Sequence, residues 1–172
     1  MIDELILVDE KDQEIGYKGK LACHIEKGLL HRAFSIFIFN SKKELLIQQR
    51  AKEKMLWPLF WSNSCCSHPR KGEAIENAAA RRLVEECGIA CELKYIYKFQ
   101  YSAQFKDEGS ENEVCSVFIG KSNTEINPNP DEIKDYKWIK VDNLLKNIKT
   151  NPELYTPWFK LEIAELKKRK LL

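Results

Sequence analysis

Between Ala74 and Cys87 the chain carries apolar residues at the spacing of one helical face. Ile75, Ala78, Ala79 and Leu83 form a single stripe, and Gly88 follows where a C-terminal cap belongs. This helix signal is isolated, because the segments around it read as strands. Leu5 to Val8 is a short apolar run closed by the polar stretch Asp9 to Gln13. Ala33 to Phe39 and Glu44 to Arg50 flank the polar turn Asn40-Ser41-Lys42-Lys43, the pattern of a hairpin with a buried first strand. Cys91 to Tyr101, Val114 to Ile119 and Tyr136 to Val141 read as further strands, broken by the polar segments Lys106 to Ser110 and Asn127 to Asp131. Thr156-Pro157 supplies an N-cap with proline at the first helical position, opening a final helix rich in Lys and Leu. Strands around one central helix, without repeats or Gly/Ser linkers, predict a compact α+β domain. A chain of 172 residues holds one good core and gives no reason for a second, so residues 1–172 are expected to form a single domain.

Charge narrows the partners. The 28 basic and 26 acidic residues nearly cancel, which argues against non-specific nucleic-acid binding and confines any anion site to a local cluster. Met1-Ile2-Asp3-Glu4-Leu5 opens no basic segment followed by a long apolar run, and no stretch reaches the roughly 18 apolar residues of a membrane span. A soluble, cytoplasmic monomer with no membrane partner is expected. The six cysteines of such a chain are expected to remain thiols. The basic run Lys167-Lys168-Arg169-Lys170 reads as a solvated helix end that complements the helix dipole.

Chemistry concentrates in Asn63-Ser64-Cys65-Cys66-Ser67-His68-Pro69. If these residues run as a strand, Cys66 and His68 share one face while Cys65 and Ser67 point to the other. A reactive cysteine needs a partner that favours its thiolate, such as a histidine or a nearby metal. The alternative is a small buried hydrophobe. The only histidines are His24, His31 and His68, and Glu111-Asn112-Glu113 adds two carboxylates that share a face if extended. Three imidazoles and two carboxylates suit manganese or magnesium and also accept zinc. Their separation in the chain leaves convergence undecided at this level.

Arg81-Arg82-Leu83-Val84-Glu85-Glu86-Cys87-Gly88-Ile89, with Glu73 upstream, resembles the core of the Nudix box. Hydrolases of that family gather divalent metals on a diphosphate with a row of carboxylates. Here Arg82 stands at a glutamate position and Ser67 at the glycine position, which favours holding a diphosphate over assembling several metals. As a bare i,i+4 pair, Arg82 and Glu86 would be worth only about 0.2–0.5 kcal/mol.

Over nearly its whole length the chain is similar to the type I isopentenyl diphosphate isomerases, which use a Nudix-like α/β/α sandwich with a mixed β-sheet. The resemblance rests on Lys20 with Ala22-Cys23-His24, Leu30-His31-Arg32-Ala33-Phe34-Ser35, Gln49-Arg50-Ala51 with Lys54 and Trp57-Pro58, and Trp61 through Pro69. It continues through Arg82 to Gly88, Tyr101, Glu111 to Cys115 and Thr156-Pro157-Trp158. It implies conversion of isopentenyl diphosphate to dimethylallyl diphosphate through a tertiary carbocation. By the same resemblance His24, His31, His68, Glu111 and Glu113 hold one divalent metal, Mn2+, Mg2+ or Zn2+. Glu86 holds a Mg2+ that arrives with the substrate diphosphate, and Lys20, Arg50, Lys54 and Arg82 bind that diphosphate. Glu113 and Tyr101 then stand on the acid side, Cys66 is the opposite base, and Trp158 stacks on the cation, with Trp57 and Trp61 as further apolar walls. A Nudix pyrophosphohydrolase and a zinc-stabilised binding domain are the competing readings. Arg82 and Ser67 oppose the first, and the absence of C-x-x-C or H-x-x-H spacing opposes the second.

Overall fold

His31 to Phe39 is the most continuously apolar segment of the chain, and it becomes the hub of the sheet. In the computed structural model, which describes residues 4–172, this strand is buried along nearly its whole length. Met1, Ile2 and Asp3, included in the single-domain and N-terminal expectations, lie outside the described residues. The elements in chain order are β1 (Glu4–Val8), β2 (Glu14–Gly19), α1 (Lys20–His24), β3 (His31–Phe39), β4 (Glu44–Arg50), β5 (Trp61–Ser62) and β6 (Cys65–Ser67). There follow α2 (Ile75–Cys87), β7 (Leu93–Phe105), β8 (Gly109–Lys121), β9 (Ile133–Lys140), α3 (Val141–Thr150) and α4 (Pro157–Lys168).

Strand β3 runs parallel to β8 from His31 opposite Glu113 to Phe39 opposite Lys121. It also runs antiparallel to β6, where Ser35 faces Cys66. Strands β7 and β8 form a long antiparallel hairpin. The expected hairpin of β3 and β4 exists only at its turn, since the two strands pair solely at Phe39 and Leu45. They part because each finds a longer partner, β3 in β8 and β4 in β9.

Alternation along β3 then builds two cores. Phe34, Ile36 and Ile38 meet the α2 stripe of Ala78, Ala79, Leu83 and Cys87 on one face. On the other, Phe37, Leu45 and Ile47 meet Leu144 of α3 and Phe159, Ile163 and Leu166 of α4. Each fully buried Leu, Ile or Phe contributes about 1.5–3 kcal/mol. A mixed sheet between helices is the α/β/α sandwich expected.

Helix α2 stops at Gly88, whose φ of 69° is left-handed and whose N–H donates to Val84 O. Helix α3 was not expected, and Val141, read as strand, is its first residue. Helix α4 begins at Pro157 as the Thr-Pro signal predicts. Thr156, however, makes no side-chain cap, because its hydroxyl bonds Ser62 Oγ at 3.0 Å. No described helix is long and apolar enough to cross a membrane.

Candidate active site

The polar run Ser62-Asn63-Ser64 is completely buried, and its side chains do the work of a missing strand ladder. Ser64 Oγ donates to Leu46 O and accepts from Ile38 N–H, while Asn63 Nδ2 donates to Cys65 O. Trp158 Nε1 donates to Ser62 Oγ at 3.1 Å and to Asn63 Oδ1 at 3.3 Å. The loop thereby fixes both the short strand β6 and the indole of α4. Strand parity follows. Cys65 packs into the α2 core, and Cys66 lines a cavity of about 330 Å³ with His68.

The ligand cluster is assembled by register. His24 ends α1, His31 opens β3 directly opposite Glu113, and His68 follows β6. Gly109 lets α1 approach β8, because a Cβ there would lie 2.2 Å from His24 O. One potential ligand atom from each of His24, His31, His68, Glu111 and Glu113 lies within 4.8 Å of all the others. His24 Nδ1–H donates to Lys20 O and His31 Nδ1–H to Leu29 O, both at 2.7 Å, which leaves each Nε2 free of its proton and aimed inward. His31 Nε2 and Glu111 Oε2 are buried without a correctly oriented hydrogen-bond partner. Those orphaned atoms, among oxygen and imidazole donors, fit a divalent cation.

In the protein alone, burial pulls the His24 imidazole down, but Glu111 outweighs it and the net shift is upward. His68 is held well below the usual histidine range by burial and by its neighbours His31 and His24. Burial pushes Glu113 up, yet its histidine and tyrosine partners prevail and hold its carboxyl below the usual range.

Across the cavity from Glu113 stands Cys66. Burial pushes its thiol up to about 12 against the opposing pull of Arg50, so the thiol rather than the thiolate is the resting form of the protein alone. Lys20, Arg50, Lys54 and Arg82 all line the same cavity, as do Tyr101 and Trp158. Burial brings Lys54 down to about 8, with Arg50 and Lys20 adding to the depression and Glu86 opposing it. Arg50 Nη2 donates to Leu56 O at 2.8 Å, and its guanidinium stands 5.3 Å from the Trp158 ring centroid.

Glu86 is buried and binds the guanidinium of Arg82, standing behind it rather than on the cavity wall. Glu132, which sequence reasoning missed, pairs with both Arg82 and Lys54. No local pattern marks it. Of the three tryptophans expected as walls only Trp158 lines the cavity. Trp57 packs edge-on against Trp158 from behind, and Trp61 is covered by Lys137. Glu73 does not reach the site, because both its oxygens accept from Arg81, which ties the entry loop to α2.

Residues 29–159 match the NUDIX domain family. A Deinococcus radiodurans protein, DR0079, shares the fold with a TM-score of 0.76 and 23% identity, covering 97% of this chain and 98% of its own. Fold and family together define the class as a Nudix-domain protein. Two relatives carry the name isopentenyl-diphosphate Delta-isomerase 1. The protein from Photorhabdus laumondii is 46% identical over 96% of this chain and 95% of its own, and that from Aromatoleum aromaticum is 48% identical over 92% and 89%. The chain belongs to the isopentenyl-diphosphate Delta-isomerase family.

Proposed function

We propose that the protein interconverts isopentenyl diphosphate and dimethylallyl diphosphate by adding a proton to one carbon and removing one from another. The observation that carries this reading is a single cavity with four cations, Lys20, Arg50, Lys54 and Arg82, and with Cys66, Tyr101, Glu113 and Trp158 also on its walls. Moving the double bond of a homoallylic diphosphate requires protonation of an unactivated alkene. No carbonyl spreads the charge, so the tertiary cation needs an electron-rich wall and no water. The pinned face of Trp158 supplies that wall, at about 2 kcal/mol or more when desolvated. Cys66 handles the proton at one face and Glu113, with Tyr101, at the other. Positioned acid and base groups contribute roughly 10²–10⁴-fold, so stabilisation of the cation supplies much of the remainder.

In the protein alone burial pushes the Cys66 thiol up and the partners of Glu113 hold its carboxyl below the usual range, so bound metal and substrate must set the proposed acid form of Glu113 with Tyr101 and base form of Cys66. A divalent ion on His24, His31, His68, Glu111 and Glu113, as Mn2+, Mg2+ or Zn2+, would lower the proton affinity of Glu113. Glu86 is the ligand proposed for a Mg2+ carried by the diphosphate, once the anion displaces Glu132 from Arg82 and Lys54. A cytoplasmic monomer acting on a small diphosphate, without nucleic-acid or membrane partners, is the setting this reading implies.

Proton NMR of isopentenyl diphosphate with the protein and Mg2+ in heavy water, alongside a phosphate assay, tests the proposal. Dimethylallyl diphosphate carrying solvent deuterium with no phosphate released is the expected result. Phosphate release with an unmoved double bond would return the site to hydrolysis.

A further inference from the structure

Helix α4 delivers two side chains to the sheet one turn apart: Trp158, which reaches the cavity, and Glu162, which does not. Glu162 is fully buried. Its Oε1 accepts from Cys115 Sγ at 3.8 Å, Cys115 Sγ also lies 3.5 Å from Ser35 Oγ, and Oε2 has no hydrogen-bond partner. No ion pair among the described residues includes it. A carboxylate with a bare oxygen and no cation in a sealed core is costly enough that the group keeps its proton instead.

Cys115 and, through it, Ser35 lead to the two sides of the chemistry. Ser35 is the cross-strand partner of Cys66 on β6, so the two side chains emerge on one face. Cys115 lies two residues beyond Glu113 on β8 and therefore on the same face. We propose that Glu162 is a positioning residue for the isomerisation, bracing the Cys66 and Glu113 sides through Ser35 and Cys115 as a neutral carboxylic acid, and that its ionisation switches turnover off. This inference rests on the isomerase reading of the cavity.

The sign follows from charge. Protonating an unactivated alkene demands a strong acid. A second anion in the same poorly screened compartment tightens the hold of Cys66 and Glu113 on their protons and weakens whichever is the donor. None of the side chains facing Glu162 is a cation: Ser35 on β3, Cys66 on β6, Cys115 and Glu113 on β8, and Tyr97 on β7, whose hydroxyl donates to Glu162 O at 3.5 Å. Burial pushes the Glu162 carboxyl up to about 8, and Glu113 adds to the shift.

The test is the pH profile of kcat at saturating isopentenyl diphosphate, where bound diphosphate keeps Lys54 charged and confines its titration to KM. Each protein is normalised to its own value at pH 7. The wild type is expected to lose about tenfold per pH unit above the midpoint. Glu162→Gln keeps a carbonyl acceptor for Cys115 but cannot ionise, so its profile should stay flat over that range. Glu162→Leu, which can neither ionise nor accept, should be flat as well, with a lower kcat and little change in KM. An alkaline fall in Glu162→Gln matching the wild type overturns the proposal. Infrared difference spectra of wild type against Glu162→Gln supply a readout independent of turnover. A protonated carboxyl band at pH 7 that fades above pH 8 is expected, and its absence at pH 7 overturns the neutral acid. If no protein isomerises the substrate at any pH, the isomerase reading falls together with the kinetic claim, while the infrared band still decides the protonation of Glu162.

Discussion

Tyr101 donates a 2.6 Å hydrogen bond to Glu113 Oε2, while Glu113 Oε1 lies 2.9 Å from His68 Nε2. The two oxygens of one carboxyl are thus divided between the ligand cluster and the hydroxyl of a cavity wall. A hydrogen bond to a charged group is worth about 1.5–3 kcal/mol. Tyr101→Phe is therefore expected to lower kcat by about ten- to a hundredfold and the melting temperature by about 3–12 °C. Steady-state kinetics and calorimetry on one preparation check both halves, and an unchanged kcat would remove Tyr101 from the chemistry.

The adjacent thiols separate by strand parity. Cys66→Ala should abolish turnover, because it removes the proposed proton-transfer group from the cavity wall. Cys65→Ala should retain most of the activity and cost about 1 kcal/mol of stability through lost packing against α2. The opposite pattern in a paired assay and urea titration would show that the residues of β6 face the other way in solution.

Lys54 makes substrate capture pH-sensitive. Its ammonium, brought down to about 8 chiefly by burial, loses its proton as pH rises through that value, and with it one of the charges offered to the diphosphate. KM should therefore rise above pH 8, and in Lys54→Arg the rise should move to higher pH because guanidinium stays charged. A KM profile that is the same in both proteins would assign the limb to another group.

The orphaned atoms of the ligand cluster predict a large effect of metal on stability. Stripping with a chelator should lower the melting temperature, and added Mn2+, Mg2+ or Zn2+ should restore it. The ligand that binds the native state contributes about 2.7 kcal/mol at a hundred times its dissociation constant. Glu111→Gln should weaken that response, measured as melting temperature against free metal concentration. An equal response in Glu111→Gln would exclude Glu111 from the site.

Helix α2 and its glycine stop were legible because 3.6-residue periodicity and a left-handed cap are local properties. The parity that puts Cys66 on the cavity side was legible for the same reason. Convergence of His24, His31, His68, Glu111 and Glu113 was not, because it depends on the parallel register of β3 with β8, and resemblance to known isomerases supplied what spacing could not. Helix α3 was hidden because the strand pattern of β9 runs without a break into Val141. Glu132 lies at a turn with no periodicity around it. Glu162, in a helix rich in Lys and Glu, looks like one more solvated residue until the packing of α4 on the sheet places it in the core. The apolar walls assigned to Trp57 and Trp61 do not line the cavity, because Trp57 packs edge-on against Trp158 and Trp61 lies under Lys137.

The pairing of His31 with Glu113 also orders events in time. A growing chain displays all its imidazoles long before either carboxylate of the cluster has been made, and then it must close a loop of about eighty residues before β8 can dock. Slippage by a single residue in that docking would turn Glu111 and Glu113 away from the histidines together. Full coordination would therefore be available only to a chain whose sheet has closed in the correct register, and ion capture would follow that closure.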